Sequence, residues 1–300
     1  MPRELTTAVV KEWLNLVEGV FDIRELHADV GIDSPAGKSH LRVILHRMEH
    51  DSPPLVVSLG SGKYRKIDNE KTLMDWESAD PDNWLPIFLP FDLHAHCLIY
   101  PKSIIIVVSG KDGGKTAFLL ECLKLNYSGF TTDFFNSETG KEQFKKRVTP
   151  LNFPHPAPFN VYQRYDNFAD VIEPNHLSII DYLDFNSEVY LVGTEIDNIF
   201  RKLTTGVAII GIQKPPPSVT FVKGVKKVID RDLGYGGAFT IKRSVLYVSL
   251  SGNRLKVVSA KTPSDPKVRL TNMQWRYTFD DDGFFTDIQR YYGEEQTNPV

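Results

Sequence analysis

The 300 residues carry 35 Lys and Arg against 38 Asp and Glu, for a formal net charge of −3, with 41% apolar and 24% charged side chains. Those fractions belong to a soluble globular chain, long enough for one large domain or an ordinary domain with a small one. The charge excludes global basicity as a sign of nucleic-acid binding and leaves only a local basic face open.

The first residues are mixed polar, with no apolar signal core. Val10, Trp13, Leu14 and Val17 fall at i, i+3, i+4 and i+7, which predicts one apolar helix face. "IRELHADVG" predicts a second short helix ending at Gly31. "DSPAGKSHLRVILHRMEHD" places turn residues before Leu41, Ile44, Leu45 and Met48 at helical spacing. "LVVSLGSGKYRKI" has two β-prone runs around Gly60-Ser61-Gly62, a hairpin signal. Three helices and a hairpin over residues 1–67 make the order of a winged helix. The third helix would expose Ser39, Arg42, His46 and Arg47, and the wing would carry Lys63, Arg65 and Lys66. Two readings stand for this unit: duplex DNA contact through Arg42, Arg47, Lys63 and Arg65, or a protein-docking module with a solvated basic face.

Residues 68–100 are rich in Asp, Pro and Trp without sustained periodicity. Trp76, Trp84 and Phe88 are expected to seek burial, so the stretch reads as a linker packed on the next domain. "DLHAHC" at 92–97 matches no common zinc spacing.

From residue 101 strand-like runs alternate with helical ones. Ile104–Val108, Gly129–Phe135, Leu177–Asp181 and Val207–Ile212 predict strands of βαβ units, and Ser244–Leu250 with Leu255–Ala260 predict an antiparallel hairpin. Ile104–Val108 is the longest aliphatic run and far too short to span a bilayer. The two cysteines, Cys97 and Cys122, suggest a reducing compartment without a disulfide framework. A cytoplasmic protein with no membrane partner is expected.

"VVSGKDGGKTAFLLECL" at 107–123 leads from a buried-type strand into helical spacing. A Gly-Lys-Ser/Thr triplet alone arises by chance in roughly one protein of this length in seven. Between strand and helix, however, Ser109, Gly110, Lys111, Asp112, Gly113, Gly114, Lys115 and Thr116 form a short Gly-rich loop whose backbone N–H groups can cradle phosphate. Lys115 would reach the β- and γ-phosphates of ATP, and Thr116 would hold Mg²⁺. Ser109 stands where the loop pattern has Gly, which is costly only if φ is positive there. Asp181, ending an apolar strand in "HLSIIDYLDF", suits the second Mg²⁺ carboxylate. Glu138, just past a strand in "TTDFFNSETGKEQFKKR", suits a general base or a helix N-terminal acid.

"FFNSETGKEQFKKR" resembles the strand-Ser-Glu-helix-Arg segment of DnaB-type replicative helicases, and "LSIIDYLDF" resembles their Walker B strand. "GVAIIGIQK" resembles the strand ending in a sensor Gln, here Gln213. "GYGGAFTIKRSVLYVSL" with "KVVSAK" resembles the closing strands, with Lys261 at the position of a Lys that reaches a neighbouring subunit's nucleotide. The match covers about residues 101–262 and is shared more loosely with RecA/KaiC-like ATPases. The resemblance implies an α/β RecA-like core that hydrolyses ATP with Mg²⁺ at subunit interfaces, a homo-oligomer with a hexameric ring favoured, and single-stranded DNA in a central channel. It implies catalytic roles for Glu138, Asp181, Gln213 and, in trans, Lys261. Two features depart from the family. Thr262 and Pro263 occupy the stretch where an arginine finger closely follows, Arg269 being the next Arg, and a winged-helix-like unit replaces the helical collar.

Residues 214–238 lie where such a core has its DNA-facing loop. Lys223, Lys226, Lys227 and Arg231 would contact phosphates; the alternative is a solvated loop whose Asp230 and Asp232 offset the charge. The expected organisation is a winged-helix-like domain at 1–67, a packed linker at 68–100, the ATPase core at 101–279 and an acidic tail at 280–300.

Overall fold

The computed structural model describes residues 5–17, 19–68, 71–183, 191–222 and 225–292, with side chains for all of these but 183, 222 and 225–229. The chain divides into two compact units, Met1–Ala79 and Asp80–Val300.

The first unit runs α1 (Thr7–Leu16), β1 (Val20–Asp22), α2 (Ile23–Asp29), α3 (Pro35–His50), β2 (Val56–Gly60) and β3 (Lys63–Lys66). Each helix starts on a side-chain cap. Thr6 accepts from the Val9 N–H, Asp22 and Glu25 form a capping box, and Ser34 caps α3 just before Pro35. Val10, Trp13 and Leu14 of α1 pack with Leu41, Ile44, Leu45 and Met48 of α3, all buried, whereas Val17 ends α1 half-buried. The Trp13 indole stands edge-on to Phe21 at 5.0 Å and donates to Asp29 Oδ2 at 2.9 Å. The expected hairpin is β2–β3, but β1 pairs antiparallel with β3 to give a three-stranded sheet of order β1-β3-β2. Three residues are too few to show a strand period, so only pairing with β3 defines β1.

The second unit has α4 (Lys115–Asn126), α5 (Lys141–Val148), α6 (Leu191–Lys202) and α7 (Ala238–Ile241). Its strands are β4 (Ser103–Ser109), β5 (Thr132–Asn136), β6 (Asn160–Gln163), β7 (Leu177–Leu183), β8 (Val207–Gln213), β9 (Ser218–Val222), β10 (Val225–Ile229), β11 (Ser244–Ser251), β12 (Arg254–Ala260), β13 (Gln274–Phe279) and β14 (Phe285–Tyr291). Nine of them form one sheet in the order β14-β13-β12-β11-β4-β8-β7-β5-β6. Pairing is parallel from β11 through β6 and antiparallel from β11 to β14, so the α/β class holds with an antiparallel extension.

Both faces of the parallel strands are covered, which is why they read as unbroken apolar runs. Ile105 and Val107 of β4 pack with Phe118, Leu119 and Leu123 of α4, while Ile104, Ile106 and Val108 pack with Val192, Ile196 and Ile199 of α6. The two faces alternate along one strand, as the two-residue period requires.

Three sequence expectations change. Residues 80–100 cluster with the second unit, and they are anchored by Ile87, Leu89, Phe91 and Leu93 rather than by Trp84 and Phe88. Trp76, Trp84 and Phe88 stay 71, 48 and 46% exposed. The stretch expected as an acidic tail instead forms β14, paired with β13; residues 293–300 lie outside the described residues. The segment 214–238 is not a plain loop, because β9 and β10 pair as a separate antiparallel hairpin. Among the described residues no helix is long and apolar enough to cross a membrane.

Candidate nucleotide site

The loop after β4 passes directly from strand to helix, from Ser109 to Lys115. Ser109 is the last residue of β4, in register with Gln213 of β8 and Leu250 of β11, and its φ is not positive. The Cβ that departs from the Gly pattern therefore costs no left-handed strain. Its hydroxyl donates to the Gly110 carbonyl at 2.8 Å. The departure moves a constraint elsewhere: a Cβ at Gly113 would sit 3.0 Å from Ser109 Cβ and 3.1 Å from the Gly110 carbonyl oxygen. Gly114 is the N-cap of α4 at φ +91°, so the loop leads directly into a helix N-terminus, the end that favours anions.

Lys115 opens α4 and lies almost out of water. Its Nζ is 3.2 Å from Asp181 Oδ1 and 3.8 Å from the centre of the Tyr182 ring. Its stem crosses β8 at Gly211, where a Cβ would meet Lys115 Cδ at 2.8 Å and push the lysine aside. Asp181 sits in β7, opposite Asn136 at the end of β5. Ser137 ties the two strand ends together: its N–H donates to the Asp181 carbonyl at 2.9 Å, and its hydroxyl accepts from the Tyr182 N–H at 2.8 Å. Thr116 and Asp181 present oxygen donors alone, which fits a hard divalent cation such as Mg²⁺ completed by waters and phosphate oxygens. Among the described residues no group of three His, Cys, Asp or Glu forms a protein-only metal cluster.

Glu138 follows directly. The Asn136 side chain accepts from the N–H groups of Glu138 and Thr139 at 3.3 and 3.1 Å, which fixes the bend that turns Glu138 out of the sheet. The helix-acid alternative does not fit this bend. Gly140 is the N-cap of α5 and Glu142 its first-turn acid, leaving Glu138 outside the helix. Glu138 Oε2 lies 3.8 Å from Arg147 Nη1 on α5.

A cleft of about 450 Å³ brings Ser109 to Ala117 together with Glu138, Arg147 and Gln213. Gln213 ends β8, and its carbonyl accepts from the Tyr235 N–H at 2.9 Å, while Lys214 donates its N–H to the Ser109 carbonyl at 2.7 Å. Three segments far apart in sequence thus converge on one opening, with Asp181 joined to it through Lys115.

Sequence reasoning assigned no role to the other wall of this cleft: Phe279, Asp282, Gly283 and Phe284 of the β13–β14 hairpin. The aromatic alternation "QWRYTF" was the available signal. Glu121 of α4 ties this hairpin to the helix, because its Oε1 accepts from the Phe285 N–H at 3.0 Å. Burial pushes the Glu121 carboxyl up to about 7, helped by nearby Asp280 and opposed by the Phe285 N–H.

Other expected site residues stand apart. Lys261 directly follows β12 and donates to the Lys242 carbonyl at 2.8 Å; burial and then Arg243 lower its pKa from the usual lysine value. It does not line the cleft of its own chain. Arg42 and Arg47 are exposed on α3, and Lys63 and Arg65 alternate on the exposed side of β3 while Tyr64 stacks on Phe21. Arg231 is exposed, Lys223 lies outside the described residues, and the side chains of Lys226 and Lys227 do too. Asp230 and Asp232, expected to offset the loop's charge, pair instead with Lys214 at 3.0 Å and Lys256 at 2.6 Å.

No family model and no curated protein matches the chain. Among solved structures it is similar to the crystal structure of the RadB recombinase, at 12% identity and a TM-score of 0.39, over 60% of this chain and 89% of that one. A likeness so distant assigns no activity, so the function must be argued from the site's own residues.

Proposed function

We propose that this chain is a RecA-like P-loop ATPase that binds ATP with Mg²⁺ and hydrolyses it in the service of DNA. The observation that carries this reading is the convergence of Glu138 and Gln213 on the loop Ser109–Thr116, with the Lys115 ammonium already held by Asp181. Phosphoryl transfer needs little covalent chemistry from a protein. It needs charge placed on the phosphates, a metal, and an oriented water. Here the loop N–H groups and Lys115 would take the phosphates, Thr116 and Asp181 the Mg²⁺, Glu138 the attacking water, and Gln213 the γ-phosphate end as sensor. When bound, Mg²⁺ would supply neutralisation of the charge developing on the phosphate oxygens.

The finer reading is a helicase-like motor or ATP-dependent DNA-binding switch of the DnaB/KaiC-like kind. The residues 1–67 would act as a winged helix on duplex DNA through Arg42, Arg47, Lys63 and Arg65. The basic hairpin with Lys223, Lys226, Lys227 and Arg231 would meet single-stranded DNA by phosphate contact. Lys261, which does not line its own cleft, would complete a neighbour's in a homo-oligomer, a hexameric ring by resemblance, in the cytoplasm. Thr262 and Pro263 in place of an arginine finger favour a second reading, an ATP-gated loader or regulator with slow hydrolysis. One experiment separates them: the ATPase rate with and without single-stranded DNA, run beside a mass determination in ATP and Mg²⁺. A motor gives DNA-stimulated turnover in a ring; a switch gives assembly with little turnover; absence of ATP binding removes both.

A further inference from the structure

The cleft has two chemically different walls. Backbone N–H groups and Lys115 make one, which suits anions. The other is made by Phe279, Asp282, Gly283 and Phe284, with Ala117 and Leu120 of α4 below. A carboxylate and two aromatic rings repel or ignore a triphosphate. They match a heteroaromatic base, which has a π face and amine hydrogens at its edge. The volume of about 450 Å³ also suits a whole nucleotide.

The hairpin is held rigidly enough to select. Phe285 packs at ring distances of 4.9 Å to Phe91, 4.8 Å to Tyr277 and 5.3 Å to Phe279, and its N–H is bonded to Glu121 on the phosphate-loop helix itself. The hairpin also touches the loop directly, since a Cβ at Gly114 would lie 2.9 Å from Phe279 Cζ. Within the turn, Asp280 Oδ1 accepts from the Asp282 N–H at 3.0 Å and the Phe284 N–H at 2.8 Å. Asp280 is therefore used inside the turn, and Asp282 is the acidic residue of the hairpin that lines the cleft.

We propose that the β13–β14 hairpin is the base-recognition subsite of this cleft: Phe279 and Phe284 form the platform for a purine, and Asp282 accepts from its exocyclic amine. The proposal rests on the nucleotide reading and names the selectivity of that same site. It makes the segment after residue 279 part of the binding machinery.

The test is equilibrium binding of ATP, ITP (which has no exocyclic amine) and inorganic tripolyphosphate to the full chain with Mg²⁺. Wild type should prefer ATP to ITP by about tenfold or more, because a site built to bond an amine is left unpaired by its absence. Asp282→Ala should bring the two affinities together and leave tripolyphosphate binding no weaker. Asp282→Asn keeps an acceptor oxygen and should keep the preference. Phe284→Ala should weaken ATP and ITP alike by about tenfold or more, with tripolyphosphate unchanged. An ATP-to-ITP ratio near one in wild type, or one that Asp282→Ala does not move, overturns the subsite. So does equal loss of tripolyphosphate in Phe284→Ala, which would mean that the hairpin merely supports the loop. Lys115-dependent tripolyphosphate binding tells this failure apart from failure of the nucleotide reading; without it both fall.

Discussion

Lys115 Nζ and Asp181 Oδ1 lie 3.2 Å apart, with the two side chains only 10 and 3% exposed. The cation proposed to take phosphate and the carboxylate proposed to hold the metal are each other's counter-ions inside the fold. Removing one leaves the other as a buried unpaired charge. Lys115→Ala should therefore lose ATP binding and also about 3–5 kcal/mol of stability. Lys115→Met with Asp181→Asn should recover at least half of that stability without recovering ATP binding. Urea unfolding measures the first effect and nucleotide titration the second. A single variant as stable as wild type would mean that the pair is not buried in solution.

Glu138 stands outside α5 and opens on the cleft, so its proposed work is on water rather than on affinity. Glu138→Gln should keep ATP affinity and lower turnover by about 10²- to 10⁴-fold, trapping an ATP-bound form. Equal loss of affinity and turnover would assign Glu138 to shaping the site.

Ser109 and Gly113 are coupled by contact. Gly113→Ala should disrupt the loop, because its new methyl meets Ser109 Cβ at 3.0 Å. Ser109→Gly alone should be close to neutral, since it removes one hydroxyl bond and no strained residue. The double variant should regain part of the nucleotide affinity that Gly113→Ala loses. Strict additivity of the two changes, read by ATP titration, would show that the clash is with the Gly110 backbone instead.

Glu121 makes stability depend on pH in an unusual direction. Its carboxyl is raised from the usual 4.5 to about 7 by burial. Between those values the unfolded chain has released a proton that the folded chain still holds. Its contribution is thus complete below about 4.5 and is lost as pH rises through about 7. Glu121→Gln keeps an oxygen for the Phe285 N–H and removes the titration. Thermal unfolding of the variant should match wild type near pH 5 and exceed it at pH 8 by up to about 3 kcal/mol. Parallel pH profiles for the two proteins would contradict a buried, titrating Glu121.

Lys261 tests the assembly. Head-to-tail contacts are heterologous and close into rings or run on as filaments. Lys261→Ala should lower hydrolysis without abolishing ATP binding, and mixing it with Lys115→Ala subunits should restore some activity at interfaces where the intact residues meet. A strictly monomeric protein in saturating ATP would remove the role in trans.

The sequence by itself determined the elements whose information is local. Periodicity marked α1, α3 and the buried parallel strands; Gly60-Ser61-Gly62 marked the β2–β3 turn; strand, Gly-rich loop and helix in succession marked the phosphate nest. Glu138, Asp181 and Gln213 were legible because each ends or closely follows an apolar strand, where side chains leave the sheet at one edge. What only the tertiary structure decided is which distant pieces meet. Strand order brings β7 and β8 between β4 and β5, and that placement puts Asp181 on Lys115 and Gln213 on the loop. The turn and β14 fall in the stretch expected as an acidic tail, because the acidic turn carries no strand signal of its own. The β13–β14 hairpin becomes a wall of the cleft only because β12 offers an open edge and α4 offers Glu121. Side chains at 279–285 gain their role from a neighbour more than 150 residues earlier, a separation no local pattern spans.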